Sequence, residues 1–251
     1  MTQVRSVNRA FEILDLLAGH HEGLVMAEIR RKLKIPLSTL FSILNSLVYK
    51  NCIYRDSLSM RYHLGWKIAS LSSQLNQNDL ILRVALPVIN EKIRPRCEET
   101  VTMTILDGRD ILFIYVNQGN SKNLQVVPTV GNKLPAYATG SGRSMLAFLP
   151  IEQVHRIYPE DTFNRLTHRT KTSKKELLDD LKLIQQKGYI YDEEESEYGI
   201  WAVCSCIRTA QNSPIAGISI VAPIVRVNGK NKVEWTQVLI ETVDEIMKRL
   251  A

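Results

Sequence analysis

The sequence predicts an α+β protein in two parts: a small three-helix domain closed by a β-hairpin, then a larger domain of antiparallel sheet and helices. Three observations carry this. Residues 25–64 hold two short helical patterns back to back, followed by two short alternating runs around a polar reversal. Residues 101–222 alternate strand runs with helical runs. The positive charge is concentrated in the first part: residues 1–65 carry nine Lys/Arg against five Asp/Glu, whereas residues 100–251 carry eighteen against seventeen.

Ser6 to Ala18 reads as a first helix with Val7, Ala10, Phe11, Leu14 and Leu17 on one face, Ser6 as its N-cap and Gly19 as its stop. Ala27, Ile29 and Leu33 mark a second helix. Leu40, Ile43, Leu44, Leu47 and Val48 mark a third, with Lys34, Ile35 and Pro36 between the two. Pro36 suits a turn or the first helical position, because it lacks only a donor that the helix leaves unpaired. The third helix has a small polar face of Ser38, Thr39, Ser42, Asn45 and Ser46, which lets its backbone approach a groove while hydroxyls and an amide reach base edges or phosphates. A helix pair joined by so short a turn is a helix-turn-helix pattern, whose second helix occupies the major groove. Cys52 to Arg55 and Arg61 to Leu64 flank Asp56 to Ser59 as a hairpin, the pattern of a wing with Arg55 and Arg61 beside its strands. Arg30, Arg31, Lys32, Lys34, Lys50, Arg55 and Arg61 are the candidate phosphate contacts.

At 251 residues, 45% hydrophobic and 23% charged, the composition is that of a globular protein of two domains. The divisions read as 1–65 for the DNA-binding domain, 66–79 for a connecting helix, and 80–251 for the second domain. No apolar run is long enough to span a bilayer, and Met1 to Arg5 leads into a charged helix rather than a signal peptide, so no membrane partner is expected and a cytoplasmic location is. Cys52, Cys97, Cys204 and Cys206 form no CxxC pair, which implies neither zinc nor a disulfide framework. His20, His21 and Glu22 fill a loop; adjacent histidines without a further ligand in view read as solvated. No metal or cofactor is implied.

In the second domain a helix from about Leu80 to Glu99 packs through Leu82, Ala85, Leu86, Ile89 and Ile93, with Pro87 and Pro95 able to kink or shorten it. Strands follow at 101–106, 111–117 and 124–130, then a loop running into a helix over 131–147, helices at 151–158 and 173–187, strands at 189–192, 200–207 and 215–222, and a terminal helix at about 232–250. Where the loop becomes a helix, the amides of Gly140, Ser141 and Gly142 are expected to face a ligand carboxylate, favoured by those donors and the helix dipole; a ligand-free Gly-rich cap is the alternative. Glu193, Glu194, Glu195 and Glu197 read as a solvated acidic turn, and Cys204 and Cys206 as buried small hydrophobes.

Three segments together resemble the IclR family of bacterial transcriptional regulators: Ser6 to Leu14 with its opening helix, Leu134 to Ala147 with its Pro-x-x-x-(Thr/Ser)-x-x-Gly-(Lys/Arg)-x-x-Leu-Ala loop and helix, and Gly188 to Glu195 with Gly199, an acidic strand end. The resemblance spans nearly the whole chain in the right order. It implies an N-terminal winged helix-turn-helix, a linker helix and a C-terminal effector domain of GAF-like α+β fold. It also implies operator DNA as partner, a small carboxylate or sugar acid as effector, and a homodimer or dimer of dimers. Matching positions make Asp192, Ala202, Cys204, Ser219 and Val221 pocket residues beside Gly140, Ser141 and Gly142. There are two departures. The family's recognition helix often carries Arg after the Ser-Thr pair, whereas here no basic residue lies between Ile35 and Tyr49. Many members have a hydroxyl residue where this chain has Val221.

A ligand-responsive repressor of a catabolic operon is therefore expected, with no catalytic residue. A constitutive DNA-binding protein whose second domain only oligomerises is the alternative. An enzyme is disfavoured because Thr139 to Arg143 is neither a G-x-S-x-G elbow nor a P-loop.

Overall fold

Helix α1 (Arg5–Ala18) packs through Ala10, Ile13, Leu14 and Leu17, the i, i+3, i+4, i+7 stripe that buries one face of a helix. It belongs to a computed structural model that describes residues 4–78, 80–119 and 128–251. The chain divides into two compact units between Asp79 and Leu80.

In the first unit α2 (Met26–Leu33) and α3 (Leu37–Tyr49) are joined by a turn that Lys34 makes in the left-handed conformation, φ 52°, its N–H still reaching the Arg30 carbonyl at 2.8 Å. Ile35 in that turn is buried, which ties the two helices to the core between them. Strands β1 (Ile53–Arg55) and β2 (Tyr62–Leu64) pair antiparallel, Arg55 opposite Tyr62. Leu24 exchanges two backbone bonds with Tyr62, fastening the hairpin to the start of α2. Asp56 sets the reversal, its carboxylate accepting the N–H groups of Leu58 and Ser59 and the Ser59 hydroxyl. The core is Ile13, Leu17, Leu24, Ile29, Ile35, Leu40, Ile43, Leu44, Ile53 and Tyr62. Helix α4 (Trp66–Asn78) follows.

The second unit opens with α5 (Leu80–Lys92). Its antiparallel sheet has the order β5-β4-β3-β8-β7-β6, from β3 (Thr100–Asp107), β4 (Asp110–Asn117), β5 (Lys133–Pro135), β6 (Tyr189–Glu193), β7 (Ile200–Arg208) and β8 (Pro214–Pro223). Between β5 and β6 come α6 (Gly140–Leu146), α7 (Ile151–Ile157) and α8 (Lys174–Lys187); α9 (Gly229–Leu250) ends the chain. Strand alternation sorts the two faces. Val101, Met103, Trp201, Val203, Ile218 and Ile220 pack with α5 and α9. Ala202, Cys204, Cys206 and Val221 face the opposite layer with α6 and α8. Gly140, against Cys204 and Asp192, and Gly217 set how closely α6 lies on the sheet, while Gly142 sets how closely it lies on the Ala136 turn. A Cβ on Gly142 would sit 2.3 Å from the Ala136 carbonyl oxygen, and one on Gly217 would sit 2.3 Å from Ser141 Oγ. Among the described residues, no helix is long and apolar enough to cross a membrane.

Several elements differ from the sequence expectation. Ser6 is not an N-cap: α1 starts at Arg5 after Val4, with no side-chain cap. Phe11 and Val7 face outward, because the run Phe11, Ile13, Leu14, Leu16, Leu17 offers more than one apolar stripe and the core takes the one through Ile13. Ala27 is likewise exposed, Met26 packing in its place, and Val48 lies at the surface. Helix α5 stops at Lys92, not Glu99, in keeping with Pro95 disfavouring helix at the residue before it. Of the strand expected over 124–130, residues 124–127 lie outside the described residues and 128–130 are not strand; β5, three residues long, was missed. Helix α9 begins three residues earlier than expected because Asn228 caps it through the Lys230 and Asn231 N–H groups.

An alanine at an unhindered helix position is worth up to about 1 kcal/mol over glycine, while overpacking costs about 1–3 kcal/mol. Gly142→Ala is therefore expected to lower the urea midpoint of the second unit; a raised midpoint would show that α6 has room to move off the Ala136 backbone.

Candidate functional site

On the first unit, the exposed surface of α3 carries Leu37, Ser38, Phe41, Ser42, Asn45 and Ser46, with Thr39 half-buried. The Ser42 hydroxyl donates to the Ser38 carbonyl at 3.1 Å and the Ser46 hydroxyl to the Ser42 carbonyl at 2.9 Å, so each must rotate to reach a partner outside the helix. Arg30 and Lys34 are exposed at the adjoining end of α2, with Arg31 and Lys32 beside them.

The two wing arginines stand differently. Arg55 is exposed, its guanidinium over the Tyr62 ring at 5.6 Å from the centroid. Arg61 turns inward instead, donating to the Gly23 carbonyl at 2.8 Å and to the Glu28 carboxylate at 3.2 Å. The same carboxylate accepts the Val25 N–H at the start of α2, and that bond, with Arg61 and Arg31 nearby, holds the Glu28 pKa below the usual value. Arg61 therefore braces the wing against α2.

On the second unit, a cavity of about 330 Å³ lies between the sheet and the N-terminal end of α6. Seven of the eight expected effector residues line it: Gly140, Ser141, Asp192, Ala202, Cys204, Ser219 and Val221. Strand register lays the floor in rows. Thr102, Ser219 and Cys204 are cross-strand neighbours along β3, β8 and β7; Val221, Ala202 and Asp192 form the next row along β8, β7 and β6. Ile111, Phe113, Leu134 and Ile200 add apolar wall, and Lys133, Ser196 and Glu197 add polar groups. Ser219 is 2% exposed, and its Oγ lies in the cavity floor beside the Cys204 thiol, the one side chain it interacts with among the described residues. A thiol is a weak hydrogen-bond partner, so this hydroxyl keeps capacity for a stronger contact with a polar group in the cavity.

The amides depart from expectation. Gly140 donates to Asp192 Oδ2 at 3.0 Å and Gly142 to the Thr139 hydroxyl at 3.1 Å, the helix cap, so neither points to a ligand. Gly142 packs on Ala136 outside the cavity. Asp192 also accepts the Glu195 N–H at 3.1 Å. Burial pushes its pKa up, against Arg143 and those N–H donors. Its first task is to hold the end of α6.

Glu195 is not solvated. It is buried and ion-paired with Arg143, which is wholly buried and also 3.3 Å from Asp180. Burial opposes the Arg143 charge, but Glu195, Asp192 and Asp180 outweigh it and raise the pKa. Burial raises that of Glu195. The hydroxyls of Thr167 and Thr170 donate to the Glu195 carbonyl, and Thr167 also to that of Glu194, so the turn at the cavity mouth is fixed from both sides. Glu193 and Glu194 meet Arg169, and Glu193 also meets Lys232.

Sequence reasoning missed Thr102, Phe113 and Lys133. The first had a signal: Thr100, Thr102 and Thr104 alternate with Val101 and Met103, one polar row on a strand whose other row is core. The arrangement is suited to binding rather than to covalent chemistry. Burial, with Asp192 nearby, pushes the Cys204 thiol up to about 12; Ser141 Oγ is hydrogen-bonded to Thr104 Oγ1, and the described lining contains no histidine.

A winged helix-turn-helix joined to a domain with a pocket of polar floor and apolar walls defines the class of DNA-binding regulators. Residues 6–57 match the IclR helix-turn-helix domain, and residues 73–248 match the C-terminal domain of the bacterial transcriptional regulator IclR. The chain belongs to the IclR family of transcriptional regulators. It is 26% identical over 245 residues to the transcriptional repressor IclR of Escherichia coli K12, covering 97% of this chain and 89% of that protein. The crystal structure of Thermotoga maritima IclR superposes with a TM-score of 0.80 at 28% identity over 99% of both chains. An IclR homologue from Microbacterium hydrocarbonoxydans, complexed with 4-hydroxybenzoate, has the same fold, with a TM-score of 0.81 at 21% identity over 98% of both.

The different settings of the two wing arginines separate their expected effects. Arg55→Ala is expected to weaken DNA binding across sequences and to reduce the slope of log affinity against log salt by about one. Arg61→Ala is expected to lower the melting temperature while leaving that slope unchanged. Salt titrations by fluorescence anisotropy with melting curves check both; an unchanged slope in Arg55→Ala would remove it from the interface.

Proposed function

We propose that this chain is a repressor of a catabolic operon, a non-enzymatic cytoplasmic regulator that acts as a homodimer or dimer of dimers. It reads operator DNA through α3 and the wing, and binds a small organic acid between α6 and the sheet. The observation that carries the sensing role is the buried Ser219 hydroxyl, held only by the weak Cys204 thiol, in a cavity with apolar walls. A hydroxylated or carboxylated ring fits that contrast: Ile111, Phe113 and Leu134 flank the body, while Thr102, Ser219 and Lys133 meet its polar ends. The 4-hydroxybenzoate held by the Microbacterium homologue is a molecule of that kind. Relatedness to the E. coli repressor supports repression as the output.

DNA contact is assigned to Ser38, Thr39, Ser42 and Asn45 for base edges and to Arg30, Lys34 and Arg55 for phosphates. Dimeric helix-turn-helix readers place two recognition helices about one DNA turn apart. A ligand that favours one arrangement of the dimer over another changes operator affinity by its differential affinity for the two.

A thermal-shift screen against small aromatic, aliphatic and sugar acids tests this reading. An effector present at 100 times its Kd stabilises by about 2.7 kcal/mol. A compound is expected to raise the melting temperature of the wild type and to raise that of Ser219→Ala much less. Ser219→Ala is preferred to Asp192→Ala because Asp192 holds α6. Equal shifts in both proteins would move the ligand out of this cavity, and no shift with any acid would favour a constitutive regulator.

A further inference from the structure

The recognition helix presents two large apolar side chains to solvent where a groove reader usually presents polar ones. Leu37 is 50% exposed and Phe41 is 54% exposed. They stand one helical turn apart, on the flank between the polar face of Ser38, Ser42 and Asn45 and the buried stripe of Leu40, Ile43 and Leu44. No cation lies between Ile35 and Tyr49. A helix that docks in the major groove contacts base edges with its N-terminal residues, and these are the first and fifth residues of α3.

The chemistry of the groove selects what they can meet. G·C pairs offer N7 and O6 acceptors, which Arg and Lys read best, and those are absent from this helix; A·T pairs offer the thymine C5-methyl, which an apolar side chain reads. Asn45 on the same face is the residue type that pairs with adenine N6 and N7. We propose that this chain reads its operator through thymine methyl groups, with Phe41 and Leu37 as specificity-determining contacts. The proposal rests on α3 being the groove-reading helix. It gives a use to apolar surface that the unit's own core leaves uncovered, and it makes the operator half-site rich in A·T pairs where the start of α3 docks.

Uracil is thymine without the methyl group, so it tests the contact without altering any hydrogen bond. The full chain is used to select binding sites from a random duplex library. The enriched duplex is then measured by fluorescence anisotropy with thymine or uracil at each position, using wild type, Phe41→Ala, Leu37→Ala and, as a phosphate control, Arg55→Ala. Burying one methyl-sized group is worth a factor of about four. At one or more positions uracil is expected to weaken wild-type binding by about that factor, with Arg55→Ala showing the same ratio. Phe41→Ala or Leu37→Ala is expected to bind the two duplexes equally at that position. Both side chains are exposed, so melting curves of these variants should match wild type. Equal affinity for thymine and uracil duplexes at every position, or a uracil effect undiminished in both variants, overturns the proposal while leaving DNA reading intact. Failure to enrich any sequence overturns the assignment of α3 as reader, and the proposal with it.

Discussion

Helix α6 rests on the sheet at a separation that the absent side chains of Gly140 and Gly217 permit, and the architecture of the larger unit follows from that contact. The approach puts the start of the helix over β7 and β8, where Asp192 takes the Gly140 N–H and Ser141 reaches Thr104. It also buries Arg143, which then requires carboxylates; Glu195 and Asp180 supply them. A buried cation stripped of one partner is destabilised by several kcal/mol, so the turn carrying Glu195 is held wherever α6 is held. The cavity is what remains between helix, turn and sheet. Its polar floor survives because one row of β3 and β8 is threonine and serine rather than valine and isoleucine.

The smaller unit solves a different problem. Its core must be dry enough to hold three short helices, yet the helix that meets DNA must keep one face free. Leu40, Ile43 and Leu44 meet the first requirement, and the short side chains along Ser38, Ser42 and Asn45 meet the second. Arg61 is fixed between Gly23 and Glu28, whereas Arg55 stays exposed, over Tyr62 and within reach of the Met60 carbonyl.

Most of the elements were legible in the sequence because their signals are local. Period-3.6 stripes located α2, α3 and α8, and alternating runs located β1 to β4 and β6 to β8. The family resemblance brought Asp192, Cys204 and Ser219 to one cavity although they lie on three strands. What was not legible depends on partners distant in sequence. Glu195 looked solvated because its cation, Arg143, lies 52 residues away. The amides of Gly140 and Gly142 looked free because Asp192 and Thr139 had not been placed against them. Phe11 and Ile13 are both apolar, and only the positions of α2, α3 and the hairpin decide which is buried. Strand β5 is too short for a pattern of three residues to stand out.

Coupling between the cavity and the proposed DNA-reading helix is the central claim, and linkage gives that coupling a direct measure. The affinity of an enriched duplex is measured with and without saturating effector, and the effector's affinity with and without saturating duplex. The account predicts that both change by the same factor, within the 5- to 150-fold typical of allosteric proteins. Affinities that stay the same in both titrations would contradict it, and would make the cavity's ligand a passenger rather than a signal.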